Sequence, residues 1–329
     1  MKVMKLDKYL FCTLLSLALF SCKKEDGETS QNQKKNTLTD VVRDNFGLTY
    51  LATSLYRSGV DETLRQPGPY TLLAPSDAAY KALYYNPAAV FDEPVAKLAE
   101  ENRYHVLKAE FSFSGKPLKM NQEMETLLGT KVYWSRVKRG QDTITTINGG
   151  RVLQTDTKAD NGTMQVLDRV LVPNVHATLK EGLAANTSVT LFYQALKFSG
   201  LLETLTGSIG YTVFAPNNDA VKRYGYANLE AIEQASPEVL KAWLSYHIAK
   251  ERKFAQDYFL LTPAGTTSYA AQMLNDQVLT VNLLGEYNVP NSFTGITLKG
   301  TGNSSAITPV KTDIVTGNGV IHVIGEVLK

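Results

Sequence analysis

The chain has 329 residues, of which 43% are hydrophobic and 20% are charged, as in a soluble globular protein. This composition excludes a collagen-like, low-complexity or wholly disordered chain and a membrane protein with many spans. The formal net charge is only +2, so no basic excess exists to neutralise phosphates, and we expect no nucleic-acid partner. At roughly 150 residues per domain, the length favours two domains and still allows one large domain.

The first 21 residues have the pattern of an export signal. Three lysines (Lys2, Lys5 and Lys8) precede an apolar run over residues 9–20. This run is too short for a bilayer core, which needs about 20 apolar residues. It ends in Leu19-Phe20-Ser21-Cys22, which resembles the bacterial lipobox. The resemblance implies cleavage before Cys22 and a diacylglycerol thioether on Cys22, our predicted lipid attachment.

Cleavage at this point would change the charge and the cysteine content. The 21 removed residues carry three lysines and one aspartate, so 34 basic and 32 acidic residues become 31 of each in a chain of 308. The two cysteines are Cys12, inside the signal, and Cys22. The mature chain therefore has no disulfide, and its hydrophobic cores must hold it folded.

Residues 22–36 are polar and show no apolar period, which predicts a flexible tether. Its first five residues, Cys-Lys-Lys-Glu-Asp, are similar to the charged signal that sends Bacteroidota lipoproteins to the cell surface. We therefore expect a protein held in the outer membrane by a lipid anchor and exposed at the cell surface.

The remainder of the chain is one unit written twice. Residues 71–79, TLLAPSDAA, recur at 212–220 as TVFAPNNDA, and Tyr104-His105 recurs as Tyr246-His247. Residues 161–167, NGTMQVL, recur at 318–324 as NGVIHVI. These landmarks predict a repeat one at residues 37–175 and a repeat two at residues 183–329. The changing offset places about 15 extra residues in repeat two, between the Tyr-His pair and residue 318.

Each repeat mixes strands with helices. An apolar run at residues 70–74 predicts a strand that Pro75 ends, after which Ser76 or Asp77 can cap a helix. Helical apolar spacing predicts helices over residues 95–111 and 236–254, which carry the Tyr-His pairs. The Asn-Gly dipeptides predict turns that lead into closing strands. Because no regular βαβ rhythm exists, the predicted fold class is α+β.

These landmarks, in this order, resemble the fasciclin (FAS1) domain family over residues 38–329. The resemblance implies two tandem fasciclin-like domains, each a β-sandwich or wedge with packed helices, in a family known mainly for adhesion. Repeat one has Gln165 where repeat two has His322, which puts any function specific to that motif in doubt for repeat one. We expect the motif residues to be structural; they are Thr71, Ala74, Pro75, Tyr104, His105, Thr212, Ala215, Pro216, Tyr246, His247, Asn318, Gly319 and His322.

The histidines give little sign of chemistry. His105, His176, His247 and His322 lack metal-site spacing and have no thiol beside them, so we expect no metal and no cofactor. We interpret His105 and His247 as core residues, with a ligand or pH switch as the alternative. The sequence also lacks a nucleophile elbow, a phosphate-binding loop and a paired-carboxylate motif. It therefore predicts no catalytic residues and a protein that is not an enzyme.

One dipeptide is a candidate for adhesion. Asp313-Ile314 resembles the Asp-Ile motif of animal fasciclin domains that integrins read. The alternative interpretation is a strand-edge position at which the isoleucine fills the core.

Two functions remain open. The first is a non-enzymatic cell-surface lipoprotein whose two FAS1 domains mediate adhesion or bind a surface glycan or protein. The alternative is an accessory lipoprotein of a TonB-dependent outer-membrane complex that takes up a glycan or peptide. A third possibility, a hydrolase, would require a pocket of convergent polar groups.

Overall fold

We describe the fold from a computed structural model, which covers residues 35–329 apart from residues 85, 208, 209 and 287. The predicted signal, Cys22 and all but the last two residues of the tether lie outside the described residues. Within the described part of the chain, no helix is both long and apolar enough to cross a membrane.

Repeat one begins with helices and ends with a long antiparallel meander. Its helices are α1 (Leu38–Arg43), α2 (Thr49–Ser58), α3 (Val60–Thr63), α4 (Asp77–Lys81) and α5 (Val95–Tyr104), with a 3₁₀ turn at Pro87–Asp92. Its strands are β1 (Tyr70–Pro75), β2 (Val106–Leu107), β3 (Lys119–Glu125), β4 (Lys131–Arg139), β5 (Asp142–Ile147), β6 (Gly150–Ala159) and β7 (Gly162–Leu167).

The strands of repeat one form a single sheet in the order β2-β1-β7-β6-β5-β4-β3. The first strand, β1, pairs in parallel with the last, β7, in the register of Leu72 with Met164. The remaining neighbours are antiparallel. Only two residue pairs join β5 to β6, and there the sheet curls from its central half into the β3–β5 meander.

Repeat two has the same order of strands as repeat one, with one additional helix between its second and third strands. Its helices are α6 (Leu179–Ala185), α7 (Thr190–Phe198), α8 (Asn218–Tyr224), α9 (Leu229–Glu233), α10 (Pro237–Ser245) and α11 (Ala255–Leu261), with 3₁₀ turns at Thr187–Val189 and Leu202–Thr204. Its strands are β8 (Tyr211–Pro216), β9 (Ile248–Lys250), β10 (Ser268–Gln272), β11 (Val278–Leu284), β12 (Gly295–Lys299), β13 (Pro309–Thr316) and β14 (Gly319–Ile324).

In repeat two the sheet is divided into two. Strands β13-β14-β8-β9 form one sheet and β10-β11-β12 the other, with β8 and β14 parallel as β1 and β7 are. A single bridge between Leu298 and Ile307 connects β12 to the chain just before β13. The fold is therefore α+β, with two tandem domains in which helices pack on a curled or divided sheet.

The central strands are buried on both faces. In β8, Val213 packs with the helices while the next residue, Phe214, packs in the core between the sheets. In β1, Leu72 and Leu73 are divided in the same way. A strand covered on both faces carries an uninterrupted apolar run, which explains the runs at residues 70–74 and 211–215.

Three boundaries differ from the sequence prediction. Helices α5 and α10 end at Tyr104 and Ser245, because the chain turns there and then pairs with β1 and β8 from Val106 and Ile248 onward. Helix α6 packs Leu179 into the core of repeat two, so that repeat already includes residues before the predicted boundary at 183. The extra residues of repeat two are not one segment; they lie in α11 and in the longer loops around β12.

Candidate functional site

The Tyr-His pairs tie three parts of each domain together. The Nδ1–H of His105 donates to the Glu101 carbonyl at 2.8 Å, and its Nε2 accepts from the Leu171 amide at 2.9 Å. His247 does the same with the Trp243 carbonyl and the Leu328 amide, at 3.2 and 3.0 Å. Burial lowers the pKa of each imidazole to about 4. Each ring is therefore neutral at pH 7, with both nitrogens engaged.

The tyrosine of each pair reaches the opposite sheet or meander. The Tyr104 hydroxyl donates to the Lys131 carbonyl at 3.0 Å, and the Tyr246 hydroxyl donates to the Val278 carbonyl at 3.0 Å. These carbonyls belong to β4 and β11, the equivalent strands of the two repeats. The pairs thus link the end of a helix to the closing segment and to the meander.

The motif that contains β1 or β8 includes a threonine whose hydroxyl bonds the chain segment after the neighbouring strand. Thr71 donates to the Ala109 carbonyl and accepts from the Phe111 amide, each at 2.7 Å. Thr212 does the same with Glu251 and Lys253, at 2.7 and 2.9 Å. The other motif residues complete β1 and β8 in their parallel pairs; these are Ala74, Pro75, Ala215 and Pro216.

The Asn-Gly dipeptides join helices to the closing strands. The Asn318 side chain accepts from the Leu179 amide at 2.7 Å and donates to the Leu205 carbonyl at 2.9 Å. Asn161 holds the Leu38 amide and the Leu64 carbonyl in the same way. A Cβ on Gly319 would lie 2.6 Å from the Tyr211 carbonyl oxygen, so this position admits only glycine.

Asp313 and Ile314, the candidate adhesive residues, are already engaged inside the protein. Asp313 has φ of 62° at a break in the β13–β14 register, where its carboxylate accepts from the Ala255 amide at 2.7 Å. The Arg169 guanidinium of repeat one lies 3.0 Å from the same carboxylate. Ile314 packs against the helical core of repeat two. An adhesive partner would have to displace these contacts to reach the carboxylate.

Arg169 is one part of a broad contact between the two repeats. At its centre, the Arg252 guanidinium lies over the Tyr133 ring, 3.7 Å from the ring centroid. Arg252 is 9% exposed and donates to carbonyls at the end of β13, including that of Gly317 at 2.8 Å. The ring of Tyr133 also packs with Phe254. A cation of repeat two is thus stabilised by an aromatic face of repeat one.

Helix α11 provides the second half of this contact. Its Asp257 is fully buried and accepts from Asn121 Nδ2 at 3.3 Å and from Ser135 Oγ at 3.5 Å, both in repeat one. Burial raises the pKa of the Asp257 carboxyl to about 7. At the end of α11, Arg139 donates to the Phe259 carbonyl at 2.9 Å and lies over its ring. The contact therefore combines buried polar groups with apolar packing.

A cleft of about 600 Å³ opens beside this contact. Its rim has two lysines, Lys131 and Lys180, and each pairs with a glutamate, Glu123 or Glu203. The cleft therefore has little net charge and no close group of acids and bases. Its walls come from the start of β4, the connection between the repeats and the turn after α7; they include Tyr133, Val175, His176, Leu202, Leu205 and Gly317.

The residues predicted from the sequence stabilise the fold and do not come together in one site. His176 lines the cleft, whereas His105, His247 and His322 are buried in three different places. Within the described residues, no three histidine, cysteine or acidic side chains are close enough to hold a metal ion together. Cys22 lies outside the described residues, so its lipidation stays a prediction.

Sequence reasoning missed the residues that join the repeats, notably Arg252, Asp257 and Tyr133. The useful signal was the insertion in repeat two, because α11 lies in it and has no helical counterpart in repeat one. A second signal was Arg252-Lys253-Phe254, which puts two cations beside an apolar residue just before the Ala255–Leu261 helix.

Two tandem α+β domains, each closed by a parallel pair of its first and last strands, define the class of this protein. The chain matches the Fasciclin domain family over residues 46–173 and 187–329 and belongs to that family.

Several animal proteins are similar to this chain. Transforming growth factor-beta-induced protein ig-h3 from Sus scrofa is 26% identical over 84% of this chain and 37% of its own length. Periostin from Homo sapiens is 26% identical over 56% of this chain and 20% of its own length. The chain thus spans well under half of these relatives.

A solved FAS1 domain pair, from the insect cell adhesion molecule Fasciclin I, is 19% identical to this chain. The match covers 85% of this chain and 95% of that chain, with a TM-score of 0.40.

Proposed function

We propose that this chain is a non-enzymatic surface protein whose two fasciclin domains act as one rigid unit in adhesion or in binding a glycan or protein. The observation that carries the proposal is the buried contact between the repeats, with Arg252 on Tyr133 at its centre. Buried polar contacts of this kind fix one relative orientation of two domains. A fixed pair presents one continuous binding surface to a partner.

Three of the four histidines, the residue type that most often performs acid–base catalysis, are engaged in bonds to the main chain. His105, His247 and His322 are each less than 2% exposed, and each has both ring nitrogens bonded to the main chain. A general base needs a free nitrogen within reach of a substrate. This arrangement supports a binding role over a hydrolytic one, in a family known mainly for adhesion.

The proposal includes a lipid anchor on Cys22 and exposure at the outer surface of the outer membrane. Its support is the Leu19-Phe20-Ser21-Cys22 sequence and the polar tether that follows. Anchoring would hold the domain pair at the surface. The alternative function, in a TonB-dependent uptake complex, shares this location but requires a stable complex with a channel protein.

Adhesion of whole cells tests the proposal. Cells that express the full chain should bind immobilised glycans and proteins, or one another, more strongly than cells that express Cys22→Ser. The serine variant should no longer fractionate with the membranes, although it is folded. Chemical cross-linking on intact cells would separate the alternative, because a single channel protein should then be recovered in fixed proportion. Equal adhesion by cells with and without the protein would contradict the proposal.

A further inference from the structure

Repeat one has an open groove between its first helices. The groove has a volume of about 390 Å³, within the range that holds a large side chain or a small ligand. Its floor is apolar, from Val42 and Leu55, and its rim carries two exposed aromatic side chains, Tyr56 at 71% and Phe91 at 50%. The other lining residues are Thr39, Arg43, Ala52, Thr53, Asp61, Glu62 and Arg65.

One wall of this groove is held rigidly. Arg57 of α2 donates from Nη2 to the Phe91 carbonyl at 2.7 Å, and its guanidinium lies 5.4 Å from the Phe91 ring centroid. This bond fixes the Pro87–Asp92 turn against α2. The exposed Phe91 ring therefore stands on a braced turn, so a partner that binds there loses little conformational entropy.

In repeat two, an aromatic residue stands at the position equivalent to Ala52. Helix α7 corresponds to α2, and it carries Tyr193 where α2 carries Ala52. Tyr193 is partly buried and packs against the core of repeat two. In repeat two, the fold thus supplies its own aromatic side chain at the position that Ala52 occupies in repeat one.

Of the two arginines that line the groove, one forms ion pairs and the other does not. Arg65 lies 3.6 Å from Asp61 and 3.3 Å from Glu62, so these three side chains form a local ion-pair cluster. Arg43, in the last turn of α1, has no acidic side chain within ion-pair distance among the described residues. A cation without a partner at the rim of an apolar groove favours a ligand that carries a carboxylate.

We propose that the groove of repeat one binds an aromatic side chain of a partner polypeptide, with an acidic residue beside it that pairs with Arg43. The proposal rests on the binding role proposed above and deepens it. Ala52 leaves the space that Tyr193 fills in repeat two, and Tyr56 and Phe91 provide ring faces for the incoming side chain. Specificity for an acidic neighbour comes from Arg43.

The comparison with Tyr193 suggests a substitution that tests the proposal. Ala52→Tyr should fill the groove from within, as Tyr193 does in repeat two, and should leave the domain folded. Ala264→Tyr is the matched control, because Ala264 is exposed in repeat two and lies outside the groove. Thermal melting would confirm that both variants are folded.

The probe is a phage-displayed library of short random peptides, selected on the wild-type protein and counter-selected on Ala52→Tyr. We expect the enriched peptides to share an aromatic residue next to aspartate or glutamate. A synthetic peptide of that sequence should bind Ala52→Tyr at least about tenfold more weakly than wild type or Ala264→Tyr. Arg43→Gln should weaken it several-fold, and added salt should remove that difference.

Several outcomes would overturn the proposal. They are no enriched peptide, enriched peptides without an aromatic residue, or equal binding to wild type and Ala52→Tyr. The adhesion assay with Ala52→Tyr distinguishes this failure from that of the proposed function. If cells that express Ala52→Tyr still adhere, the groove is not the binding site, but the adhesive role stands.

Discussion

Gln165 and His322 occupy the same place in the two repeats and hold the same two main-chain groups. Gln165 Oε1 accepts from the Asp156 amide at 2.9 Å, and its Nε2 donates to the Phe111 carbonyl at 3.1 Å. His322 Nδ1 accepts from the Asp313 amide at 3.2 Å, and its Nε2 donates to the Lys253 carbonyl at 3.1 Å. This position needs one acceptor and one donor, which both side chains provide.

This equivalence predicts that His322→Gln is tolerated. Because glutamine makes the same bonds in repeat one, we expect a loss below about 1 kcal/mol in the free energy of unfolding. His322→Ala should lose about 2–4 kcal/mol, since it leaves a cavity and two unpaired main-chain groups. Urea unfolding of the two variants measures the difference. Equal losses would mean that the imidazole has a role that glutamine cannot fill.

His247 is expected to act as a core residue. His247→Ala removes a fully buried ring and leaves the Leu328 amide unpaired, so it should cost about 2–4 kcal/mol. His176→Ala is the control and should change stability by less than about 0.5 kcal/mol, since its ring is partly exposed. Binding to any partner should fall only in step with the folded fraction. Wild-type melting of His247→Ala combined with lost binding would assign His247 to a ligand site.

The buried histidines should make the fold sensitive to acid. The pKa of His105 and His247 is about 4 in the folded protein, against about 6.5 in the unfolded chain. Their contribution to stability is therefore complete above about pH 6.5 and is lost as the pH falls toward 4. Each contributes on the order of 3 kcal/mol over that interval. Urea unfolding as a function of pH measures the slope, and His247→Gln should make it smaller.

Asp257 should have the opposite pH dependence. Burial raises its pKa from 3.8 to about 7, so the folded protein holds this proton more tightly than the unfolded chain does. Its ionisation therefore lowers stability as the pH rises from about 4 to about 7. Asp257→Asn removes the buried charge, and its amide can donate toward Asn121 Oδ1, which has no donor in the structure. We expect this variant to match or exceed wild-type stability at about pH 8. A clear loss at that pH would contradict this interpretation.

Arg252 should couple the unfolding of the two repeats. Arg252→Met retains much of the packing on Tyr133 but leaves the Thr316 and Gly317 carbonyls without this donor, and we expect a loss of about 3 kcal/mol. Calorimetry of wild type should show a single transition, which should separate into two in Arg252→Met. Arg103→Met, at an exposed position in α5, should behave as wild type. Two transitions already in wild type would show that the repeats unfold independently.

The repeated landmarks made the fold predictable, because each one performs a local and recurring task. Asn318 caps a helix, Pro216 ends a strand, and Thr212 bonds the chain segment that follows β9. The helix that carries Tyr246 was predicted too long, because apolar spacing does not show where the chain leaves a helix to pair with a neighbouring strand.

The contact between the repeats could not be predicted in the same way. It depends on residues that occur in one repeat only, such as Tyr133 and Arg252, and their partners are far away in sequence. The groove of repeat one could not be predicted either, because Ala52 indicates an open space only when it is compared with Tyr193 at the equivalent position. A contact between two different surfaces, whose residues are far apart in sequence, produces no repeating sequence pattern from which it could be predicted.

The ion pair between Arg169 and Asp313 also bears on self-assembly. The contact joins two different faces of a repeated unit, so in principle it could add further copies head to tail and grow a filament. Repeat two carries Glu326 where repeat one carries Arg169, and Glu326 is exposed. A second molecule added head to tail would present its repeat one, in which Asp156 is the counterpart of Asp313, and would bring two carboxylates together instead of an ion pair. One charge reversal thus limits polymerisation and favours a discrete two-domain particle.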